Sequence, residues 1–93
     1  MLLEEMRNKA KVVRLRRDSK RKKLIKRYEV KITNALRRKV YMTGEISVTV
    51  LVPARIYLDI TEIFESQGFR VISLGFFGSE DNNVKLIIED KER

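Results

Sequence analysis

The chain contains no cysteine, no histidine and no tryptophan, and a single proline, Pro53. Without cysteine there are no disulfides, no thiolate nucleophile and no thiolate metal site, and without histidine the commonest general base and metal ligand is missing. Most enzyme classes are disfavoured at once. Aromatic residues make up only 8% of the chain, so base stacking has few candidates. No apolar run approaches the roughly 20 residues of a membrane-spanning helix. The start Met1-Leu2-Leu3-Glu4-Glu5 lacks the basic opening and apolar centre of a signal peptide. These absences lead to the expectation of a cytoplasmic protein with no membrane span, no cofactor, no metal and no small-molecule substrate.

What the chain has in abundance is charge, and it is segregated. Residues 1–44 hold sixteen Lys and Arg against four Asp and Glu, whereas residues 45–93 hold five against nine. The whole carries +8 over 93 residues. A basic excess this concentrated creates a local positive potential that recruits phosphates. With 43% apolar and 37% charged residues, the composition is too apolar for general disorder and suits one small domain. At this length a core buries only about 60% of the unfolded surface. Stability is expected to be thin.

Periodicity divides the first half in two. Leu2, Leu3, Met6, Ala10 and Val13 recur at helical spacing within an arc of about 100°. Asp18-Ser19 follows, residue types that favour helix N-caps, so a break or bend is expected there. Residues 1–19 read as a basic helix or arm, and residues 20–93 as one small domain. In residues 20–42, Leu24, Ile25, Tyr28, Ile32, Ala35, Leu36 and Val40 span an arc of about 160°, the width of a helix lying on a core. The opposite face carries Lys23, Lys26, Arg27, Lys31, Arg37 and Arg38. Like charges at i,i+4, such as Lys22 with Lys26 and Lys23 with Arg27, disfavour the helix by a few tenths of a kcal/mol each. Something other than helix stability accounts for this face.

The second half changes register. Ile46, Val48, Val50 and Val52 alternate with Ser47, Thr49 and Leu51, the period of a strand. After Pro53, Ile56, Tyr57, Ile60, Ile63 and Phe64 form a helical stripe backed by Asp59, Glu62 and Glu65, with Gly68 at its C-terminal end. Residues 69–77 and 84–89 read as two more strands joined by turn residues. The fold class is therefore α+β: basic N-terminal helices, then a βαββ unit with a three-stranded sheet and one helix. A parallel crossover and a returning hairpin place the third strand between the other two, a split βαβ layout that is half of a ferredoxin-like arrangement. One sheet face takes the helix. The other is expected to carry Ser47, Thr49, Leu51, Val71, Ser73, Phe77 and Ile87, and to be covered by the stripe of residues 20–42 or by a second copy of the chain.

The constellation of unusual density is Arg14, Arg16, Arg17, Lys20, Arg21, Lys22, Lys23, Lys26 and Arg27, continued by Lys31, Arg37 and Arg38. Read as chemistry, it binds phosphates through point charges and Arg forks, with salt-sensitive affinity and little sequence preference. Read blandly, it is a solvated arm, and the cluster at 37–39 pairs with Asp59, Glu62 and Glu65. Tyr41 is the one candidate for base stacking, whereas Tyr28 belongs to the core stripe. The acids of the second helix form a solvated face, and residues 80–83 lack the length and spacing of a calcium loop. Gly75 and Gly78 do not form a phosphate loop, since no helix with a Lys follows. Non-enzymatic nucleic-acid binding, DNA ahead of RNA, is the expectation. The alternative is an assembly module whose basic helices bind an acidic protein.

Assembly enters through the first strand. As a sheet edge reading Ile46-Ser47-Val48-Thr49-Val50, with neither Lys nor Pro inside it, it lacks the usual protection against pairing. A homodimer with a continuous sheet is expected, its two basic helices on related faces.

Overall fold

The computed structural model describes residues 1–92. A single helix, α1 (Leu2–Thr43), is followed by β1 (Ser47–Pro53), a 3-10 turn (Ala54–Ile56), α2 (Tyr57–Ser66), β2 (Phe69–Phe77), a second 3-10 turn (Ser79–Asp81) and β3 (Asn83–Asp90). The fold is α+β. The break expected at Asp18-Ser19 does not occur, because α1 runs through both residues without interruption. The reason lies in what the segment lacks: neither Gly nor Pro occurs before Gly44, and Asp or Ser inside a helix costs less than Gly and far less than Pro. Gly44 ends the helix. Its φ of 74° is open to glycine at little cost, and its N–H donates to the Val40 carbonyl at 2.8 Å, the left-handed cap that satisfies a carbonyl of the last turn.

The sheet has the order β1-β3-β2, with β3 antiparallel to both neighbours. Pairings such as Val48 with Ile88, Val50 with Leu86 and Val52 with Val84 put these side chains on one face. That face is the core side. Val52, Val84, Leu86 and Ile88 are buried there with Ile56, Ile60 and Phe64 of the α2 region and with Ile32 and Leu36 of α1. Leu24, Ile25 and Tyr28 pack against this cluster, and Phe69 meets Phe64 edge to face at 5.8 Å. The docking of α1 expected from its stripe is thus realised, with Val40 as the exception at 42% exposed.

The stripe of residues 20–42, offered as one cover for the sheet face opposite α2, does not take that face. It lies on the same side of the sheet as α2, where Ile32 and Leu36 share one core with Ile60 and Phe64. The second face of the sheet is uncovered by this chain. Its membership also differs from the expected one. Val71 and Ser73 pair with Ile88 and Leu86 on the core side, while Phe77 pairs with Asn83 on the open side. Strict alternation back from Phe77 would have placed all three together. A bulge between Ser73 and Gly75 shifts the phase by one residue, and Gly75, at φ 114°, adopts a conformation that a side chain would strain.

The molecule measures 63 × 26 × 20 Å. Its long axis matches the length of a 42-residue helix at about 1.5 Å per residue, so α1 extends well past the sheet. Residues 1–23 are exposed on every side.

Candidate nucleic-acid interface

Because α1 is continuous, the azimuth of each side chain around it can be followed from one end to the other at about 100° per residue. The core-facing residues Tyr28, Ile25, Ile32 and Leu36 define one direction. Arg16, Lys20, Lys23, Arg27, Lys31 and Arg38 fall within an arc of about 80° on the opposite side. They form a straight row. From Arg16 to Arg38 it spans about 33 Å of helix rise, and all six side chains are exposed. Arg16, expected on a separate helix or arm, joins the row only because no break intervenes.

The remaining six candidates lie elsewhere on the helix. Lys22, Lys26 and Arg37 flank the row on one side, whereas Arg14, Arg17 and Arg21 share the azimuth of the core-facing residues. Arg14 and Arg17 stand beyond the body and are exposed. Arg21 is at the body's edge and donates to Asp59 Oδ2 of α2 at 2.6 Å. This hydrogen bond, and after it the charge of Asp59, raises the Arg21 pKa above its ordinary value. A guanidinium is protonated at any physiological pH in either case. Arg21 is therefore engaged with α2 through a surface ion pair. It is the least suited of the twelve to a phosphate.

Ion pairing leaves most of the row open. Lys26 approaches Glu29 at 3.7 Å, and Lys39 approaches Glu45 at 3.9 Å. Among the described residues no carboxylate lies within ion-pair distance of Arg16, Lys20, Lys23, Arg27, Lys31 or Arg38. Lys31 Nζ sits 5.5 Å from the centre of the Tyr28 ring, a contact that restrains the ammonium without neutralising it. Among the described residues no ion pair joins the cluster at 37–39 to Asp59, Glu62 or Glu65; Asp59 is taken by Arg21 and Lys39 approaches Glu45. Tyr41, the candidate stacker, is 91% exposed at the last turn of α1.

An apolar cleft of about 430 Å³ opens beside that turn, lined by Leu36, Val40, Tyr41, Phe64 and Phe69 with Arg37. No acidic side chain lines it. Among the described residues no group of His, Cys, Asp or Glu is placed to hold a metal ion, and no helix is long and apolar enough to cross a membrane. Comparison with protein-family models, with characterised proteins and with solved structures returns no match for this chain. The electrostatics of α1 therefore carry the functional argument.

Lys20, Lys23, Arg27, Lys31 and Arg38 already share a face of the 20–42 helix, and helix continuity was needed only to add Arg16. Positions 16, 20, 23, 27, 31 and 38 advance by three, four or seven residues. That spacing places them on one face only if a single helix contains them all.

Proposed function

We propose that this protein binds nucleic acid without catalysis, gripping the phosphate backbone with the outward row of α1 and dimerising through its βαββ part. The observation that carries the reading is the straight alignment of Arg16, Lys20, Lys23, Arg27, Lys31 and Arg38, all exposed and opposite the core. From Arg16 to Lys31 successive cations recur at about one turn, roughly 5 Å, and Arg38 follows after about two turns. The row's length of about 33 Å is close to one turn of duplex DNA. Binding of this kind displaces condensed counterions, so affinity falls steeply with salt. Sequence preference is small, because cations spent on phosphate oxygens position the duplex without reading its base edges. Duplex DNA fits a straight, rigid ridge better than single strands do, and this places DNA ahead of RNA loops.

The experiment is an anisotropy titration with duplex DNA, single-stranded DNA and RNA at two salt concentrations. If four to six phosphates are engaged, log K should fall against log salt with a slope between about −3.6 and about −5.4 for duplex. Replacing all six row residues with Ala should abolish most of the binding, while the same change at Arg14, Arg17 and Lys22 should cost less. Affinity that is indifferent to salt, or equal losses from the two sets, would refute the reading.

A second reading rests on the free end of α1. Leu3, Met6 and Val13 are exposed on one face, with Ala10 between them, and Arg7, Arg14, Lys9 and Arg16 border that face on both sides. An acidic amphipathic helix of another protein would complement it in both shape and charge. Replacing Leu3, Met6 and Val13 with Ser distinguishes the two readings, since it would abolish such pairing and leave phosphate binding intact.

A further inference from the structure

The uncovered face of the sheet consists of four cross-strand rows. Ser47, Glu89 and Arg70 form the first; Thr49, Ile87 and Ile72 the second; Leu51, Lys85 and Gly75 the third; Pro53, Asn83 and Phe77 the fourth. Leu51 is 50% exposed, Phe77 44% and Ile72 38%. Neither helix of the chain lies on this side. The charges on the face are few and ordered: Glu89 sits 3.5 Å from Arg70, and Lys85 rests 5.5 Å from the centre of the Phe77 ring.

We infer that this face is the dimer interface, occupied by the same face of a second copy with the two β3 strands antiparallel across a two-fold axis through Ile87. The order of charges selects this arrangement. Along β3 the open side reads Lys85, Ile87, Glu89, so reversing one strand over the other sets Ile87 on Ile87 and Lys85 of each copy against Glu89 of the other. Arg70 then lies over the partner's Gly75, the one position of the face with no side chain. With the strands parallel instead, Lys85 would meet Lys85 and Glu89 would meet Glu89, which is unfavourable at close range. An isologous interface of this kind needs only a self-complementary patch. Packed sheets lie about 10 Å apart with strands crossing at about 30°, and pairs next to the axis stay in register under that twist.

The inference deepens the dimerisation part of the function proposed above and replaces pairing of β1 edges with packing of faces. It changes what the basic rows can do. Each α1 lies on the far side of its own sheet, so the two rows face outward from opposite sides of the dimer. Two duplex segments would then be bridged by one dimer, where edge pairing would lay both rows toward one. The face is small, three strands at about 4.8 Å spacing and about seven residues long at ~3.3 Å each, which is below the ~800 Å² per partner of a standard interface. A dimer in the micromolar range is expected.

Sedimentation equilibrium without nucleic acid, from about 5 to about 500 μM protein, tests it. Lys85→Glu and Glu89→Lys should each weaken the dimer about tenfold or more, since each places like charges together twice. An equimolar mixture of the two variants should form heterodimers of near wild-type affinity, because both opposite-charge pairs are then restored. Ile72→Lys, at an exposed position, should abolish the dimer without unfolding the chain. A wild-type chain that is monomeric throughout the range would overturn both the dimer and its geometry. A dimer that ignores both charge reversals, with no preference for the mixed species, would overturn the face and leave the β1 edge as the contact.

Discussion

Residues 2–23 and residues 24–43 belong to one helix but are held by different forces. In the second part Ile32 and Leu36 are 1% and 6% exposed in a core shared with the sheet and α2, while the first part touches almost nothing but solvent. An isolated helix of about twenty residues with many like charges is marginal in water, because the first turn must be nucleated at a high entropic cost. Here the packed part serves as the nucleus, and each further residue toward the N-terminus adds a hydrogen bond without a new nucleation step. Continuity substitutes for burial. The result is a rod whose outer part is helical by propagation and whose inner part is helical by packing.

The largest effect that can break this comparison is a truncation in the packed part. Ile32→Ala should destabilise the protein by about 2 to 5 kcal/mol, read as a shift in the denaturant midpoint, whereas Val13→Ala should change it by less than about 0.5 kcal/mol. Similar losses from both would show that the outer part is docked as well. Ser19→Pro comes next. It should remove much of the helical ellipticity of residues 1–18, since it breaks the ladder through which they propagate, and leave the cooperative unfolding of the body unchanged. It should also detach Arg16 from the row and reduce the salt slope of nucleic-acid binding by about one. The smallest effect is expected from Asp59→Asn. Its pair with Arg21 is 2.6 Å long but lies at the surface, where solvent screening leaves little net contribution, so the melting temperature should stay where it was. A large loss would mean that Arg21 positions α1 on the body rather than merely touching it.

Much of the fold was legible from residue patterns alone. Alternation marked β1, helical spacing marked α2, turn residues set off β3, and residues 69–77 matched β2 to the residue. The stripe through Ile32 and Leu36 identified the part of α1 that docks. Most of the candidate interface was legible as the basic outer face of residues 20–42; only its extension to Arg16 was not. Asp18-Ser19 suggested a helix start, and the absence of Gly and Pro before Gly44 was the stronger evidence against one. At the other end, the bulge before Gly75 moved Val71 and Ser73 to the core side. Alternation along one strand carries no sign of a residue that its partner leaves unpaired.

From the sequence by itself follow the segregation of charge, the kinds and order of the elements, and the apolar stripe by which α1 docks. These depend on composition and on neighbours a few residues apart, where spacing and conformational preference act directly. Only the tertiary structure decided that α1 shares one sheet face with α2, that the other face stays open, and that Arg16 stands in line with the cations of residues 20–38. Those outcomes depend on which apolar surfaces meet across the chain. Either face of a three-stranded sheet can accept a helix, and the choice rests on the summed burial of side chains far apart in sequence.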